Sequence, residues 1–254
     1  MTTPYQPSRG LRGKLERRWT RLAARAPLNL ALDRAIVSFT FDDFPASAAQ
    51  AGADALEAAG VRGTYYVCAD FEGGENHHGP LWRDEDLARL RERGHDLACH
   101  TAAHLDIAKT SLEATQTDIA RNAAAFAERG VTFRSFAFPF GEATPAAKRA
   151  LGRRFRTLRG VQSGVNRGFA DRALLRSTLI GPETGVETPA AAWLEDVLAR
   201  PGWLIFFTHD VQSSPTRWGC KADTLKRLIE RAQSGGAEIL TVDAACDRLG
   251  IAAP

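Results

Sequence analysis

Four short stretches carry residue types that could do chemistry. In Thr40-Phe41-Asp42-Asp43, an apolar run ends in two adjacent carboxylates. Alone this reads as turn chemistry, because Asp caps helices and tolerates unusual backbone angles. His100 and His104 stand four residues apart in His100-Thr-Ala-Ala-His104. That spacing predicts both imidazoles on one face of a helical turn, close enough to share one ion. Phe136-Ala-Phe-Pro-Phe-Gly141 is an aromatic run closing on Pro139 and Gly141, and Trp203-Leu-Ile-Phe-Phe-Thr-His209-Asp210 delivers a histidine where its apolar run stops. Each has a plain structural explanation, as a turn, a solvated histidine pair or a core strand.

Their shared position favours chemistry. Each polar group falls at or just past the C-terminal end of an expected strand, which is where active sites assemble in parallel α/β barrels. One aspartate with two histidines makes a three-ligand, open site suited to zinc or a similar divalent ion. Such an ion lets water ionise near neutral pH, a second carboxylate can take the proton, and a histidine opposite can protonate a leaving group.

The elements that must position these residues follow from the hydrophobic pattern. Strands are expected at Ile36 to Phe41, Thr64 to Val67, Asp96 to Cys99, Ser135 to Phe138, Thr157 to Val161, Trp203 to Thr208 and Glu238 to Val242. Several are apolar almost throughout, as strands covered on both faces should be. They alternate with helical segments, the rhythm of a parallel α/β sheet or barrel. Helix starts are marked by Thr110 with Glu113 as a capping box, by Thr144-Pro145 and Thr188-Pro189, and by Asp84, Glu85 and Asp86 in a first turn. Leu112, Ile119 and Phe126 have helical spacing and read as core.

The 254 residues, 44% hydrophobic and 25% charged, describe an ordinary globular chain. A formal charge of +3 and the lack of any nucleic-acid motif argue against nucleic acid as a partner. The basic charge is concentrated from Arg9 to Arg34. There Leu11, Leu15, Trp19 and Leu22 would form an apolar stripe flanked by arginines, either a membrane-surface helix through residues 9–28 or a helix docked on its own domain or on a second subunit as a homodimer. The expected organisation is a basic amphipathic segment, residues 1–34, before a catalytic domain, residues 35–254. Arginine or lysine recurs too often near the N-terminus for a secretory signal, and no apolar segment is long enough to span a bilayer. Cys68, Cys99, Cys220 and Cys246 form no C-x-x-C pair and read as free thiols in a reducing cytoplasm.

In order and residue type, the motifs resemble the polysaccharide deacetylase family, the family 4 carbohydrate esterases that share the NodB homology domain, over about Ala35 to Leu249. Thr-Phe-Asp-Asp at 40 to 43 is similar to the family's first motif and His-Thr-Ala-Ala-His at 100 to 104 to its second. Phe-Ala-Phe-Pro-Phe-Gly and Phe-Thr-His-Asp strengthen the match. The resemblance implies an α/β fold, a distorted (β/α) barrel with a strand count matching the candidates above. It implies Asp42 as catalytic base, with Asp43, His100 and His104 as ligands of a divalent metal, Zn2+ before Co2+ or Ni2+. It further implies a Phe140 backbone N–H in the Pro139-Phe140-Gly141 turn for the oxyanion, and His209 as general acid.

Two departures stand out. Ala137 occupies the place where many members carry an arginine that orients the base; Arg134 is near in sequence. The family's fourth motif, an Asp and a Trp that buttress the acid histidine, has no match. In Glu75-Asn76-His77-His78-Gly79, exposed loop histidines are the plainer reading, and His78 lining a substrate cleft the alternative. Substrate contacts are assigned to His78, Arg134, Pro139 and Gly141. The resemblance implies metal-dependent N-deacetylation of an N-acetylglucosamine-containing polysaccharide or its lipid-linked precursor. A bacterial exopolysaccharide or holdfast enzyme, cytoplasmic and peripheral at the inner membrane face, fits it best. The alternatives are O-deacetylation, hydrolysis of a small amide, or sugar binding by a degenerate site.

Overall fold

Along the strand Ile36–Phe41 every residue is buried, and Val37, Phe39 and Phe41 alternate with Ile36, Ser38 and Thr40. Successive side chains on a strand point to opposite faces, so a strand buried throughout must be covered on both sides. Val37, Phe39 and Phe41 join the main core with Leu56, Leu90, Leu194 and Leu225 from the surrounding helices. Ile36 packs on the other face with Trp203 and Ile205, where the Trp203 indole N–H donates to Ser38 Oγ at 3.0 Å.

The computed structural model describes residues 10–182 and 188–252; Arg9 of the basic segment lies outside them. The strands are β1 (Pro27–Leu30), β2 (Ile36–Phe41), β3 (Thr64–Val67), β4 (Glu75–Asn76), β5 (Gly79–Pro80), β6 (Asp96–Cys99), β7 (Ser135–Ala137), β8 (Thr157–Arg159), β9 (Gly168–Asp171), β10 (Thr178–Leu179), β11 (Trp203–Thr208) and β12 (Glu238–Ile239). The α-helices are α1 (Leu11–Leu22), α2 (Ala53–Ala58), α3 (Asp84–Glu92), α4 (Leu112–Ala127), α5 (Pro145–Leu151), α6 (Pro189–Ala199), α7 (Ala222–Ser234) and α8 (Val242–Arg248).

Seven parallel strands in the order β10-β11-β2-β3-β6-β7-β8 curl into a half-barrel, a distorted (β/α) barrel, with β12 alongside the start of β2. Leu175 bonds to Leu158 and Gly160, so the segment entering β10 also runs beside β8 and brings the sheet's two edges together. Register then sets the site. Thr208 pairs with Phe41 and the Asp42 N–H donates to the Thr208 carbonyl, leaving Asp42 and His209 at adjacent strand ends. Val67 pairs with Cys99, and Ala137 with Arg159.

Several expected boundaries shift. β7 stops at Ala137 and β8 at Arg159. Val242 opens α8 rather than closing β12, because the Thr241 side chain caps that helix on the Ala244 N–H. α4 is capped by Ser111, whose Oγ accepts from the Ala114 N–H, while Thr110 instead donates to the Asp106 carbonyl. Thr144 and Thr188 cap α5 and α6 as expected. Of the expected core residues on α4, Ile119 and Phe126 are buried but Leu112, at the first turn, is 37% exposed. β1 and β9, each largely exposed, and β4, β5 and β10, of two residues each, do not show in the hydrophobic pattern. β1 pairs antiparallel with β9, and Lys148, buried on α5, donates to the Thr20 and Ala23 carbonyls and pairs with Asp171. The basic segment is thereby fastened to the barrel. The four cysteines are free and buried.

Candidate active site

Asp43 is the centre of a cluster assembled from the ends of four strands. It sits with φ at 63°, followed by Phe44 at 57°, and Thr101, His104 and Phe140 are also left-handed. Non-glycine residues held there cost on the order of 1–3 kcal/mol each, and such strain gathers at functional sites. Only Ala24, of the described non-glycine residues with positive φ, lies outside these segments.

His100 and His104 converge on Asp43, but not on a helical turn as their spacing suggested. The segment is a loop whose two left-handed residues turn both rings inward, with Nε2 of His104 3.2 Å and Nε2 of His100 3.6 Å from Asp43 Oδ1. Asp118, buried on α4, holds this loop by accepting from the Ala102 and Ala103 N–H groups. The His100 Nδ1 lies 2.8 Å from the Ala137 carbonyl, which can only accept, so the proton resides on Nδ1. Burial pushes the His100 imidazole down to about 4, leaving it neutral near pH 7.

The donor set fits a cation. Neutral His100 turns an Nε2 lone pair toward Asp43 Oδ1, a buried carboxylate oxygen with no hydrogen-bond partner. Two acceptors facing each other in a buried site are stable when a positive ion lies between them. Burial would raise the Asp43 carboxyl, but the pull of His104, His209, His100 and His78 exceeds it and keeps the group well below the usual carboxylate range. Asp43, His100 and His104 have ligand atoms close enough to hold one ion.

A second group, Asp43, His78 and His209, also meets that criterion. His78 is no exposed loop histidine: it is 2% accessible, whereas His77 beside it is exposed. Its Nδ1 is 2.9 Å from Asp210 Oδ1 and 3.0 Å from Thr216 Oγ1, its Nε2 is 4.0 Å from Asp43 Oδ2, and its ring stacks on His209 at 4.5 Å. His209 Nδ1 lies 3.2 Å from the Trp218 carbonyl, and burial lowers its pKa. An acid and a tryptophan thus stand beside these histidines, although the acid follows His209 directly and bonds to His78.

Asp42 finds its orienting partner on another strand. Arg159 at the end of β8 donates from Nη2 to both Asp42 oxygens, at 2.5 and 2.7 Å, and from Nη1 to the Gly160 carbonyl and Ser177 Oγ. Its guanidinium lies 4.8 Å from the Tyr66 ring centre and 5.3 Å from that of Phe207. Both Asp42 and Arg159 are buried. Ala137 is the register partner of Arg159 and packs with Tyr66 and Ala98, so the small side chain leaves space that the arginine occupies from the neighbouring strand. Arg134 does not reach Asp42. It precedes β7, at the opposite end of the strand from the site, and pairs with Asp243.

The Phe140 ring packs edge-on against His104, 4.3 Å between centres, in the turn that follows the buried Pro139. Gly141 has φ at 70°, and a Cβ there would come 2.2 Å from Val161. Only glycine fits this bend. The sequence signals missed are long-range ones: Arg159, Asp118 and Trp218 carry no local motif, and Asp210, though inside Phe-Thr-His-Asp, shows its bond to His78 only in the fold.

The family model for polysaccharide deacetylase matches residues 30–154, which include Asp42, Asp43, His100, His104 and the Pro139-Phe140-Gly141 turn. No curated protein matches the chain. Similar solved structures include a family 4 acetyl xylan esterase from Clostridium thermocellum in complex with a cobalt ion, 24% identical, with a TM-score of 0.61 over 85% of this chain and 93% of that one. A catalytic domain of peptidoglycan N-acetylglucosamine deacetylase from Eubacterium rectale is 16% identical, with a TM-score of 0.52 over 85% and 93%. A family 4 carbohydrate esterase from Streptomyces lividans in complex with acetate is also 16% identical, with a TM-score of 0.53 over 83% and 93%. With the fold shared and the residues around Asp43 lying largely within the matched stretch, residues 30–154 of the chain are similar to the polysaccharide deacetylase family.

Proposed function

We propose that this chain is a metal-dependent N-deacetylase of N-acetylglucosamine-containing polysaccharide or of its lipid-linked precursor. The observation that carries the reading is the pairing of opposite fates in adjacent residues. Asp42 is clamped by Arg159, whereas Asp43 keeps a buried oxygen free of hydrogen bonds in front of His100 and His104. A sugar-binding module has no need of a clamped carboxylate beside such an oxygen.

Asp43, His100 and His104 would hold a divalent ion, Zn2+ before Co2+ or Ni2+. When bound, it supplies Lewis acidity toward water and the acetyl carbonyl. Asp42 takes the proton of the attacking water, with Arg159 holding its carboxylate in one orientation. The new C–O bond forms at the acetamide carbonyl, and the Phe140 N–H donates to the oxygen on which charge develops. His209 gives a proton to the nitrogen as the C–N bond breaks, releasing acetate and a free amine. Asp210 positions His78, whose stacked ring in turn fixes His209. Pro139 and Gly141 shape the cleft wall against which the sugar rests. No helix of the described residues is long and apolar enough to cross a membrane. A cytoplasmic enzyme at the inner membrane face would meet the glycan before export.

A second reading has one observation behind it: the fold likeness to an acetyl xylan esterase. O-deacetylation would use the same residues with an alcohol as leaving group. Acetate release from N-acetylglucosamine oligomers and from acetylated xylan, compared at equal acetyl concentration, separates the two. The proposal expects the amide substrate to be hydrolysed with the higher kcat/KM. Release from xylan alone would replace it with the esterase reading.

A further inference from the structure

We propose that α1 and the groove beside it form a docking surface for a bilayer containing anionic phospholipid. Leu11, Leu15, Trp19 and Leu22 are 81%, 66%, 65% and 62% exposed. At about 3.6 residues per turn they make one continuous stripe. The buried residues of the helix, Gly13 and Thr20, lie on its opposite side, and Lys148 grips the Thr20 and Ala23 carbonyls. The helix therefore presents its apolar stripe outward while its other side is fixed to the barrel.

Cations border the stripe. Lys14, Arg18 and Arg21 are exposed along one flank, and Arg18 and Arg21 line a groove of about 580 Å³ together with Arg25, Arg167 and Arg176. Among the described residues Asp171 is the single carboxylate lining it, and it already pairs with Lys148 and accepts from the Ala26 N–H. Arg167 pairs with Asp196, whereas Arg18 and Arg21 have no ion-pair partner among the described residues. Leu22 edges the groove, as does Phe169, 80% exposed on β9. The groove shares no lining residue with the Asp43 cluster.

Exposed apolar side chains beside unpaired arginines match the acyl boundary and phosphate level of a lipid surface. Each cation near such a surface strengthens partitioning by about fivefold. A second copy of the chain is a poorer occupant, because a symmetric contact would set these arginines against their own copies. A soluble acidic polymer would leave the four apolar side chains unused. On its inner flank Arg17 reaches Glu142, next to Gly141, so the docking helix abuts the turn at the candidate site.

Flotation of the full chain with phosphatidylcholine vesicles, with and without phosphatidylglycerol, tests this directly. Binding is expected only to the anionic vesicles and should weaken as salt is raised. A Leu15→Ser/Trp19→Ser/Leu22→Ser variant and an Arg18→Glu/Arg21→Glu/Arg25→Glu variant should each lose at least about tenfold in partitioning, with unchanged circular dichroism and melting temperature. Equal binding to neutral vesicles, no binding, or binding untouched by both variants would overturn the proposal. So would a dimer in light scattering that the same substitutions dissolve without any flotation, or capture of a soluble acidic polysaccharide in place of vesicles.

Discussion

The two sides of Asp43 are built in different ways. On one side, His100 and His104 come from a single loop behind β6, pinned by the Ala137 carbonyl and by Asp118. On the other, His78 and His209 come from segments far apart in sequence and are tied together by Asp210, Thr216 and Trp218. The first side has ligand atoms at 3.2 and 3.6 Å from Asp43, the second has His78 at 4.0 Å. The contrast teaches that the proposed ion ligands are set by one compact motif, whereas the proposed proton donor beside them is aligned by bonds between segments distant in sequence.

Removing the base should have the largest effect. Asp42→Asn is expected to abolish acetate release while metal content, measured by atomic absorption, stays the same; loss of metal as well would erase the distinction between the two aspartates.

Arg159→Met should come next, because it leaves a buried carboxylate unpaired. Unfolding in urea is expected to show a loss of about 3–5 kcal/mol, and the Arg159→Met/Asp42→Asn double variant should recover much of it without regaining activity. Additive losses would mean that the two side chains do not act as a pair.

On the other side of Asp43, Asp210→Asn should lower kcat by about 10- to 100-fold, the range seen when an outer partner of a site histidine is lost. Metal content should not change. A kcat near wild type would remove Asp210 and His78 from the alignment of His209.

The smallest effect concerns pH. Burial lowers His100 to about 4 and also lowers His104 and His209 from their usual value. Between about pH 6.5, where an unfolded histidine titrates, and about 4, these histidines bind more protons in the unfolded chain than in the folded one. That share of stability is therefore present above pH 6.5 and is lost as pH falls. The melting temperature of metal-free protein should drop across this window, and His100→Gln should flatten the drop.

How far the sequence reveals these two sides follows from the same contrast. β2, β3, β6 and β11 are legible because buried parallel strands read as unbroken apolar runs, and Asp43, His100 and His104 because their motifs are local. β9 escapes because it is largely exposed and pairs only with β1, and β10 because its two residues need the barrel to define them. Arg159 escapes because its meaning is its register beside Ala137, a relation between strands. His78 appears exposed in its polar loop, and only the return of the chain through Asp210 and Thr216 buries it. The helical reading of His100 to His104 fails because Thr101 and His104 adopt left-handed backbone that spacing alone does not encode.

Acetate release from N-acetylglucosamine oligomers by metal-loaded protein, by chelated protein and by Asp43→Ala is the most direct measurement of the central claim. Release by the loaded protein, lost on chelation, restored by added Zn2+ and absent in Asp43→Ala, is the expected result. Full activity in the chelated protein or in Asp43→Ala would contradict it.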